Sequence, residues 1–464
     1  MKVFIVGIKG VAMAALAVIL TKMGYKVIGS DVKEKFITDE ELEKNNIKVL
    51  IGFDPSDIEN DLSYVVYSGA NEGRNNPQVL KAKSLGLKTI TQAELISTLL
   101  KDFEKSIAIT GSHGKTTTSS LLSYTLIKLN QKPSYMVGTS SFNGYAGGDF
   151  NQKKYFVFEA DEYAVNPPFD KTIKLALYNP DYSIITNIDF DHPDVYKDIN
   201  QTIEVFEKFI KNTGKTFICI DDEHAKKIVT KLNSANIRTF GFSKEAEFRA
   251  MLHRTDINGS YFNVNHNGED LGTFSTKLYG EKNISNTIGA ICLLLDLGFK
   301  IKEIKDAIED FVGAKRRFEL IYKKNETFLF DDYAHHPNEI KATIDTTRDI
   351  FKNRRLIIIF QSHTYSRTQK FLKEFAESLS LADLVYILPI FSSAREDKSD
   401  FKVSVQSIVN AEKNKHNLKS VIDKKDLLNT LKTNLRKGDV VFTMGAGNQN
   451  MLAPDIIELI NNLK

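Results

Sequence analysis

Cysteine is scarce in this chain, and the two that occur, Cys219 and Cys292, both lie in apolar runs. A structural disulfide or a cysteine-based metal site is therefore not expected, whereas a reducing, cytoplasmic location is. No apolar run reaches ~18 residues without a charge, so neither a membrane span nor a signal peptide is expected. The net charge of +3 is small for 464 residues and gives no reason to expect nucleic acid as a partner.

The length of 464 residues is large for a single hydrophobic core, so two to four domains are expected. Hydrophobic residues make up 42% of the chain and charged residues 26%, which is typical of a globular protein and excludes a disordered or fibrous one. The sequence contains no repeat period and no low-complexity tract. Its organisation must therefore be inferred from local motifs.

The most informative stretch runs from Ile107 to Thr118. A short apolar run enters a turn bracketed by two glycines, and Lys-Thr-Thr then opens a helical pattern. This order predicts a phosphate cradle, in which backbone N–H groups at the helix start face phosphate oxygens, Lys115 supplies a positive charge and Thr116 can reach Mg²⁺. The spacing is unusual, since Ile109 occupies the place of the customary first glycine. Bound ATP is the expectation, with contacts from Gly111, Ser112, His113, Gly114, Lys115, Thr116 and Thr117.

The first residues form a βαβ pattern. A buried strand, Val3–Val6, is followed by a loop that contains Gly7 and Gly10, an apolar helix and a second strand that ends at Asp31. Asp31 stands about where a Rossmann unit places its ribose-binding acid, but Lys9 occupies a position that is more often glycine. The pattern by itself leaves open both a bound nucleotide or diphosphate and plain fold packing. It predicts a small α/β domain.

Two further apolar strands run into polar residues. The strand Tyr155–Phe158 is followed by Glu159, Asp161 and Glu162, three carboxylates that repel one another unless a cation or solvent separates them. A strand beside a phosphate cradle commonly ends in an acid that holds Mg²⁺, and we prefer this interpretation to a solvated strand end. After the next strand comes His192, a candidate ligand of a second metal ion rather than a cap or core filler. The predicted metal ligands are therefore Thr116, Glu159 and His192.

The last third of the chain alternates strictly between strand and helix patterns, which predicts a second doubly wound, mainly parallel sheet. Polar residues with histidines follow two of its strands, in Asp331–Pro337 and Gln361–Arg367, where parallel sheets bind ligands. The basic cluster Lys315–Arg317 suits a γ-phosphate clamp better than a solvated charge run. The predicted fold is α/β with three domains: a Rossmann-like domain at 1–104, a P-loop ATP-binding domain at 105–314 and a second Rossmann-like domain at 315–464.

Taken together, these motifs resemble those of the Mur ligases, the ATP-dependent amide-forming enzymes of peptidoglycan synthesis. The resemblance covers nearly the full length, and among the family's members it is greatest to those that use L-alanine. It implies that the lactyl carboxylate of UDP-N-acetylmuramate attacks the γ-phosphate of ATP, giving an acyl phosphate that the amine of L-alanine then captures. The motifs that carry it are Thr110–Thr118, Glu159–Glu162, Asn187 through His192, Asn283 with Asn286, Lys315–Phe318, Asp331–Pro337, Gln361–Thr368 and Gly445–Asn448.

The resemblance also implies roles for individual residues. Asn286 would contact adenine, Asp332 the ribose and Arg317 the γ-phosphate, and domain closure would exclude water from the acyl phosphate. The catalytic residues would be Lys115, Glu159, His192 and Arg317. The UDP-sugar site would comprise Gly7, Gly10, Met13, Ser30, Asp31 and Ser68, and the amino-acid pocket Tyr333, His335, His363 and Arg367.

Other interpretations remain open. Thr364 stands where this family usually has arginine, and Glu159–Tyr163 is also similar to a recycling relative, the murein tripeptide ligase, which joins a whole peptide to the same sugar nucleotide. A nicotinamide-dependent oxidoreductase built on the first βαβ unit would leave the phosphate cradle unexplained. A non-catalytic nucleotide-binding protein would have no use for two histidine-bearing loops. A monomer or homodimer without nucleic-acid or membrane partners is expected.

Overall fold

The computed structural model describes residues 1–167, 169–192, 194–391, 398–412 and 416–463. The chain forms two compact units, the first made of residues 1–254 and 259–314 and the second of residues 255–258 and 315–464. Among the described residues, no helix is both long enough and apolar enough to traverse a bilayer.

The first unit begins with a five-stranded parallel sheet in the order β3-β2-β1-β4-β5. This order is typical of one half of a Rossmann fold, as the βαβ pattern predicts. The apolar strand β1 lies at the centre because both of its faces are covered. The strands are β1 (Lys2–Val6), β2 (Lys26–Asp31), β3 (Lys48–Ile51), β4 (Tyr64–Tyr67) and β5 (Thr89–Thr91), and the helices are α1 (Val11–Lys22), α2 (Asp39–Lys44), α3 (Pro77–Ser84) and α4 (Gln92–Leu100).

The same unit contains a ten-stranded sheet in the order β17-β16-β15-β14-β13-β12-β6-β9-β7-β8. Parallel pairing joins the seven strands from β15 to β7, and β8 and β17 are added as antiparallel edges. The strands are β6 (Lys105–Thr110), β7 (Ser134–Phe142), β8 (Tyr145–Asp149), β9 (Tyr155–Glu159), β12 (Tyr182–Ile185), β13 (Lys215–Cys219), β14 (Ile237–Gly241), β15 (Phe248–Asp256), β16 (Gly259–His266) and β17 (Glu269–Thr276). A separate ribbon consists of β10 (Ala164–Asn166) and β11 (Asp170–Ile173), and the helices are α5 (Lys115–Lys128), α6 (Ile199–Lys211), α7 (Glu223–Leu232), α8 (Glu281–Asp296) and α9 (Ile301–Ile308).

One hydrophobic core joins the two sheets of the first unit. It runs from helices α1 and α4 to one face of the ten-stranded sheet, where Phe156 and Phe158 are fully buried. Helix α1 packs so closely on β8 that a Cβ atom on Gly148 would lie 2.6 Å from the Cα of Ala15. The loop after β1 is thereby fixed relative to the larger sheet.

The segment from Gly138 to Gly148 is not the loop that its glycine, serine and asparagine content predicts. It lies mostly in the antiparallel pair β7 and β8, whose turn is at Asn143 and Gly144. The residue types of this segment have low β-propensity, but tertiary contacts outweigh that propensity and the segment forms strands. Tyr135 and Phe142 of β7 are buried and in edge-to-face contact, which fixes the strand.

The second unit contains a six-stranded sheet in the order β18-β19-β23-β20-β21-β22. All neighbours are parallel except the antiparallel edge strand β18, so the prediction of a second doubly wound sheet is confirmed. The strands are β18 (Glu319–Lys324), β19 (Thr327–Asp332), β20 (Leu356–Gln361), β21 (Leu384–Ile387), β22 (Leu418–Ser420) and β23 (Val440–Gly445). The helices are α10 (Pro337–Ile350), α11 (Tyr365–Lys370), α12 (Leu372–Leu379), α13 (Val405–Ala411), α14 (Lys424–Asn434) and α15 (Ala453–Asn461).

The helical pattern near Thr368 to Ser380 corresponds to two helices, α11 and α12, which meet at Phe371. Helix α11 begins at Tyr365, before that pattern, because the side chain of Thr364 accepts a hydrogen bond from the backbone N–H of Arg367 and so caps the helix. The split between the compact units falls between residues 314 and 315. Residues 1–104 and 105–314 form separate sheets within one unit, and the exact boundaries of the three domains stay a prediction.

Candidate active site

The phosphate cradle is the turn from β6 into α5, and two glycines in it are required by close contacts. Gly111 has φ +130° and Gly114 has φ +88°, a region that side chains disfavour. A Cβ atom on Gly111 would lie 2.2 Å from the hydroxyl of Thr186, and one on Gly114 would lie 2.8 Å from the side-chain oxygen of Asn286. The turn therefore passes directly over two polar side chains, one of which is the predicted adenine contact.

The residues that follow β12 form hydrogen bonds with the phosphate cradle. The side chain of Asn187 accepts from the backbone N–H of His113 at 2.9 Å and donates to the carbonyl of His113 at 2.8 Å. The hydroxyl of Ser112 donates to the carbonyl of Asp189 at 3.0 Å and accepts from its N–H at 2.7 Å. These four bonds fix the turn before any ligand contacts it, which keeps the reorganisation on binding small.

Lys115 lies at the first turn of α5 and points into a cluster of acids. Its Nζ donates to the carbonyl of Gly111 at 2.6 Å and to the carboxylate of Glu162 at 2.8 Å. Burial lowers the pKa of Lys115, but the negative charges of Glu162 and Asp161 outweigh it and raise that pKa above its ordinary value. Lys115 is therefore a fixed positive charge at any physiological pH.

Glu159 ends β9 directly beside α5. Its carboxylate accepts hydrogen bonds from the hydroxyls of Thr116 at 3.3 Å and Ser119 at 2.9 Å, and also from the backbone N–H of Gly138. A Cβ atom on Gly138 would lie 2.5 Å from the carboxylate. The structure thus brings together Thr116 and Glu159, which the sequence predicts as metal ligands, and their oxygen donors are the type that Mg²⁺ prefers.

His192 lies in a second group, with Asp161 and Glu162. The three side chains place donor atoms within 4.8 Å of one another, and the His192 Nε2 is 3.3 Å from a Glu162 oxygen. Burial lowers the pKa of His192, but Glu162 and Asp191 outweigh it and raise the pKa. A cation bound here would compete with a proton for the imidazole, since ligating histidine is neutral.

In the first sheet, the predicted UDP-sugar residues surround the loop between β1 and α1. The backbone N–H groups of Gly7 and Ile8 donate to the carbonyl of Ser30. The carboxylate of Asp31 accepts from the backbone N–H of Lys9 at 2.7 Å, and burial raises its pKa. Ser30 is fully buried and its hydroxyl donates to Gln78 at 2.5 Å. Ser30 and Asp31 therefore hold the loop between β1 and α1 in place through these hydrogen bonds.

The other three UDP-sugar candidates lie at the same edge of the sheet. Gly10 precedes α1, Met13 is buried within its first turn, and Ser68 follows β4 and accepts from the backbone N–H of Ala70 at 3.3 Å. Lys9, which replaces a usual glycine, is buried and donates to the carbonyl of Glu34 at 2.8 Å. The binding roles of all six candidates stay predictions.

In the second unit, Asp332 ends β19 and is buried. It accepts from the hydroxyl of Thr343 at 2.8 Å and from the backbone N–H of Ala334 at 3.0 Å. Burial raises the pKa of Asp332 to about 6, against the opposing effects of Thr343 and Arg317. The predicted ribose ligand is thus a carboxylate with two fixed partners in a poorly solvated position.

Two guanidinium groups lie close to the ring of Tyr333. Those of Arg316 and Arg317 are 4.9 Å and 5.0 Å from the ring centroid, which favours a cation–π interaction with each. His335 makes an edge-to-face contact with the same ring, and its Nδ1 is 3.2 Å from Glu339. Tyr333 and His335 follow the carboxyl end of β19, and the segment directly after the carboxyl end of a strand is called its exit below. These two predicted pocket residues are therefore in direct contact.

The β20 exit carries the other two predicted pocket residues. The ring of His363 stacks on Phe391 at 5.8 Å, and Arg367 lies in α11. Between them, Thr364 has φ +70° and ψ 140°, a strained conformation for a β-branched residue. A loop held in such a conformation is typical of a functional site.

Sequence reasoning missed several residues that organise these sites. Glu162, the partner of Lys115, was recognised only as one of three acids, because the sequence does not reveal which carboxylate turns toward the lysine. Asn187 was part of a motif, but nothing in its spacing predicts that it braces His113. Gln361 and Arg316 were also parts of motifs, but nothing in their spacing predicts that they contact the loop after β23, which is far away in the sequence.

Known protein families match this chain over most of its length. Three family descriptions match the chain in order: "Mur ligase family, catalytic domain" at residues 2–104, "Mur ligase middle domain" at residues 109–294 and "Mur ligase, glutamate ligase domain" at residues 316–447. The chain is 38% identical over 445 residues to a UDP-N-acetylmuramate–L-alanine ligase of Pediococcus pentosaceus, covering 96% of this chain and 95% of that protein. It is 36% identical over 455 residues to one of Caldicellulosiruptor bescii, covering 97% and 96%.

Among solved structures, the fold is similar to a UDP-N-acetylmuramate–alanine ligase of Thermotoga maritima, with a TM-score of 0.81 and 24% identity over 99% of each chain. A murein peptide ligase of Psychrobacter arcticus matches with a TM-score of 0.73 and 23% identity, over 100% of this chain and 99% of that one. At these identities the solved structures support the fold alone. The family assignment rests on the sequence relatives and on the matched family descriptions. The chain belongs to the Mur ligase family.

Proposed function

We propose that the protein uses ATP to join L-alanine to the lactyl carboxylate of UDP-N-acetylmuramate through an acyl phosphate. The observation that carries this is the arrangement of the cradle, where the Lys115 ammonium and the Thr116–Glu159 pair lie at the turn from β6 into α5. Relatives named for this reaction cover nearly the whole chain. The substrate pair is carried over from the reaction for which those relatives are named, and the site roles are those that the resemblance of the motifs implies.

Phosphoryl transfer from ATP to a carboxylate brings two anions together, so it depends on charge neutralisation and alignment. Lys115 supplies a positive charge that its acidic neighbours keep protonated. The N–H groups at the start of α5 supply further positive potential. The bonds from Asn187 and Ser112 hold that turn in place, so the chain itself provides most of the alignment.

Thr116 and Glu159 would hold Mg²⁺, and His192 with Asp161 and Glu162 would hold a second divalent cation. A magnesium ion at such a site neutralises phosphate oxygens and aligns them for in-line transfer. The side chain of Ser119 and the N–H of Gly138 keep the Glu159 carboxylate directed at Thr116.

In the second step, the α-amine of L-alanine attacks the acyl carbon and inorganic phosphate leaves with its electron pair, forming the amide. Tyr333 and His335 from the β19 exit, with His363 and Arg367 from the β20 exit, would line the amino-acid pocket. An arginine binds a carboxylate through two parallel hydrogen bonds, which suits Arg367 to the carboxylate of the amino acid. Arg317 and Asp332 would take the ATP roles that the family resemblance implies.

The deciding experiment measures phosphate release from ATP and Mg²⁺ in the presence of UDP-N-acetylmuramate, with each acceptor supplied singly. Release that requires L-alanine is the expected result. Release only with the tripeptide L-Ala-γ-D-Glu-diaminopimelate would assign the protein to the recycling reaction instead. Release with glycine or L-serine in preference to L-alanine would indicate a pocket altered at Thr364. Folded protein that releases no phosphate with any acceptor would refute the proposal.

A further inference from the structure

Four neighbouring strands of the six-stranded sheet, β19-β23-β20-β21, end at the same edge. The β19 exit carries Tyr333 and His335, and the β20 exit carries His363 and Arg367. Strand β23 lies between those two strands, so its exit loop, Gly445–Asn448, separates the two halves of the predicted amino-acid pocket. Contacts that hold the loop Gly445–Asn448 in place therefore also hold the two halves of the predicted pocket at a fixed distance from each other.

Gln361 holds one side of the loop. Its side chain is buried, its carbonyl oxygen accepts from the backbone N–H of Asn448 at 2.8 Å, and its amide donates to the carbonyl of Pro389 at 3.1 Å. The amide thereby links the exits of β21, β20 and β23. The loop follows the amide so closely that a Cβ atom on Gly447 would lie 2.1 Å from the amide oxygen, a contact that only glycine permits.

Arg316 holds the other side. Its Nη2 donates to the carbonyl of Gly445 at 2.8 Å, and its Nε donates to the buried carboxylate of Asp331 at 3.2 Å. Its backbone carbonyl accepts from the N–H of Tyr333 at 2.7 Å, and its guanidinium covers the Tyr333 ring. Arg316 has φ +62°, a strained conformation that these four contacts maintain.

We propose that Gln361 and Arg316 are positioning residues for the acceptor amino acid. They clamp the loop Gly445–Asn448 from its two sides and so set the spacing between Tyr333 and Arg367 across the pocket. The inference rests on the proposed function, because it requires that the two strand exits bind one small amino acid. A spacing fixed in this way selects a short side chain and holds the amine in line with the acyl carbon.

The test compares steady-state kinetics of the full-length protein with those of Gln361→Ala, Arg316→Ala and the double variant. Each single change should raise the KM for L-alanine about 10-fold or more while the KM values for ATP and the UDP-sugar stay within about two-fold. The preference for L-alanine over glycine should fall at the same time. Because both residues act on one loop, the double variant should lose less than the product of the two single effects.

Asn417→Ala is the matched control. Asn417 is also a buried amide, and it donates to the carbonyls of Ser380 and Ala382 at the opposite edge of the sheet. Its removal should lower the melting temperature and leave the KM for L-alanine unchanged. It therefore separates loss of stability from loss of positioning.

The outcomes distinguish the two claims. A wild-type protein that releases no phosphate with L-alanine would overturn the proposed function and this inference with it. An active wild type whose Gln361→Ala variant keeps a normal KM for L-alanine would overturn the inference alone. Equal increases in the KM values of all three substrates, as from general loosening of the unit, would also overturn it.

Discussion

Asp332 offers a quantitative test, because a buried carboxylate must destabilise the protein when it ionises. The structure raises the pKa of Asp332 to about 6 from an ordinary value of 3.8, chiefly by burial. The folded protein therefore binds this proton more tightly than the unfolded chain does. Stability from this residue is complete below pH ~4 and is lost as the pH rises through about 6.

Raising a carboxyl pKa from 3.8 to about 6 corresponds to about 3 kcal/mol at pH 7. The substitution Asp332→Asn removes the ionisable group and keeps the shape. Its oxygen can still accept from the Ala334 N–H, and its amide can donate to the Thr343 hydroxyl, which rotates to accept. The variant should thus be no more stable than wild type near pH 4 and up to about 3 kcal/mol more stable at pH 7.

Urea unfolding followed by circular dichroism at several pH values between 4 and 8 measures this difference. The free energy of unfolding of Asp332→Asn should exceed that of the wild type by an amount that increases from pH 4 to pH 6 and then levels off. Asp349→Asn is the control, since it removes an exposed aspartate from helix α10, the helix that carries Thr343, the hydrogen-bond partner of Asp332. A difference for Asp332→Asn that is flat with pH, or that falls as pH rises, would refute the assignment of burial as the dominant effect.

Three further substitutions test the remaining site residues. Lys115→Ala should reduce turnover by about 10² to 10³ and leave calorimetric binding of the UDP-sugar intact, since the lysine acts on the phosphates; loss of UDP-sugar binding would contradict this. Arg367→Ala should chiefly raise the KM for L-alanine, and an unchanged value would rule out its role as the carboxylate partner. Gly138→Ala should weaken activation by Mg²⁺ in a metal titration, because the added Cβ would lie 2.5 Å from the Glu159 carboxylate and displace it from Thr116; an unaltered titration would show that Glu159 is not a ligand.

The sequence predicted those parts of the fold that depend on local pattern. The apolar strand, glycine turn and helix around Lys115 are local features. In the structure the strand ends at Thr110 and the helix begins at Lys115, as predicted, and the strand starts at Lys105, two residues before the predicted run. Strict alternation of strands and helices likewise sufficed for the parallel sheet of the second unit. Such signals work because periodicity and turn chemistry act over a few residues.

What the sequence could not reveal depends on pairing across long separations. The choice of Glu162 rather than Glu159 as the partner of Lys115 is set by side-chain directions at the end of β9. The hairpin of β7 and β8 forms despite its glycine-rich sequence, because it is buried against α1. The bonds of Gln361 to residues 28 and 87 positions away leave no local trace in the sequence.

In the proposed reaction, the carboxylate of UDP-N-acetylmuramate is phosphorylated before the amine attacks it. The most direct measurement uses UDP-N-acetylmuramate labelled with ¹⁸O in its lactyl carboxylate and follows the label by mass spectrometry of the released phosphate. An acyl phosphate transfers one carboxylate oxygen to phosphate, so the expected product is phosphate carrying one ¹⁸O, formed only when L-alanine is present. Unlabelled phosphate, released together with amide product, would contradict it.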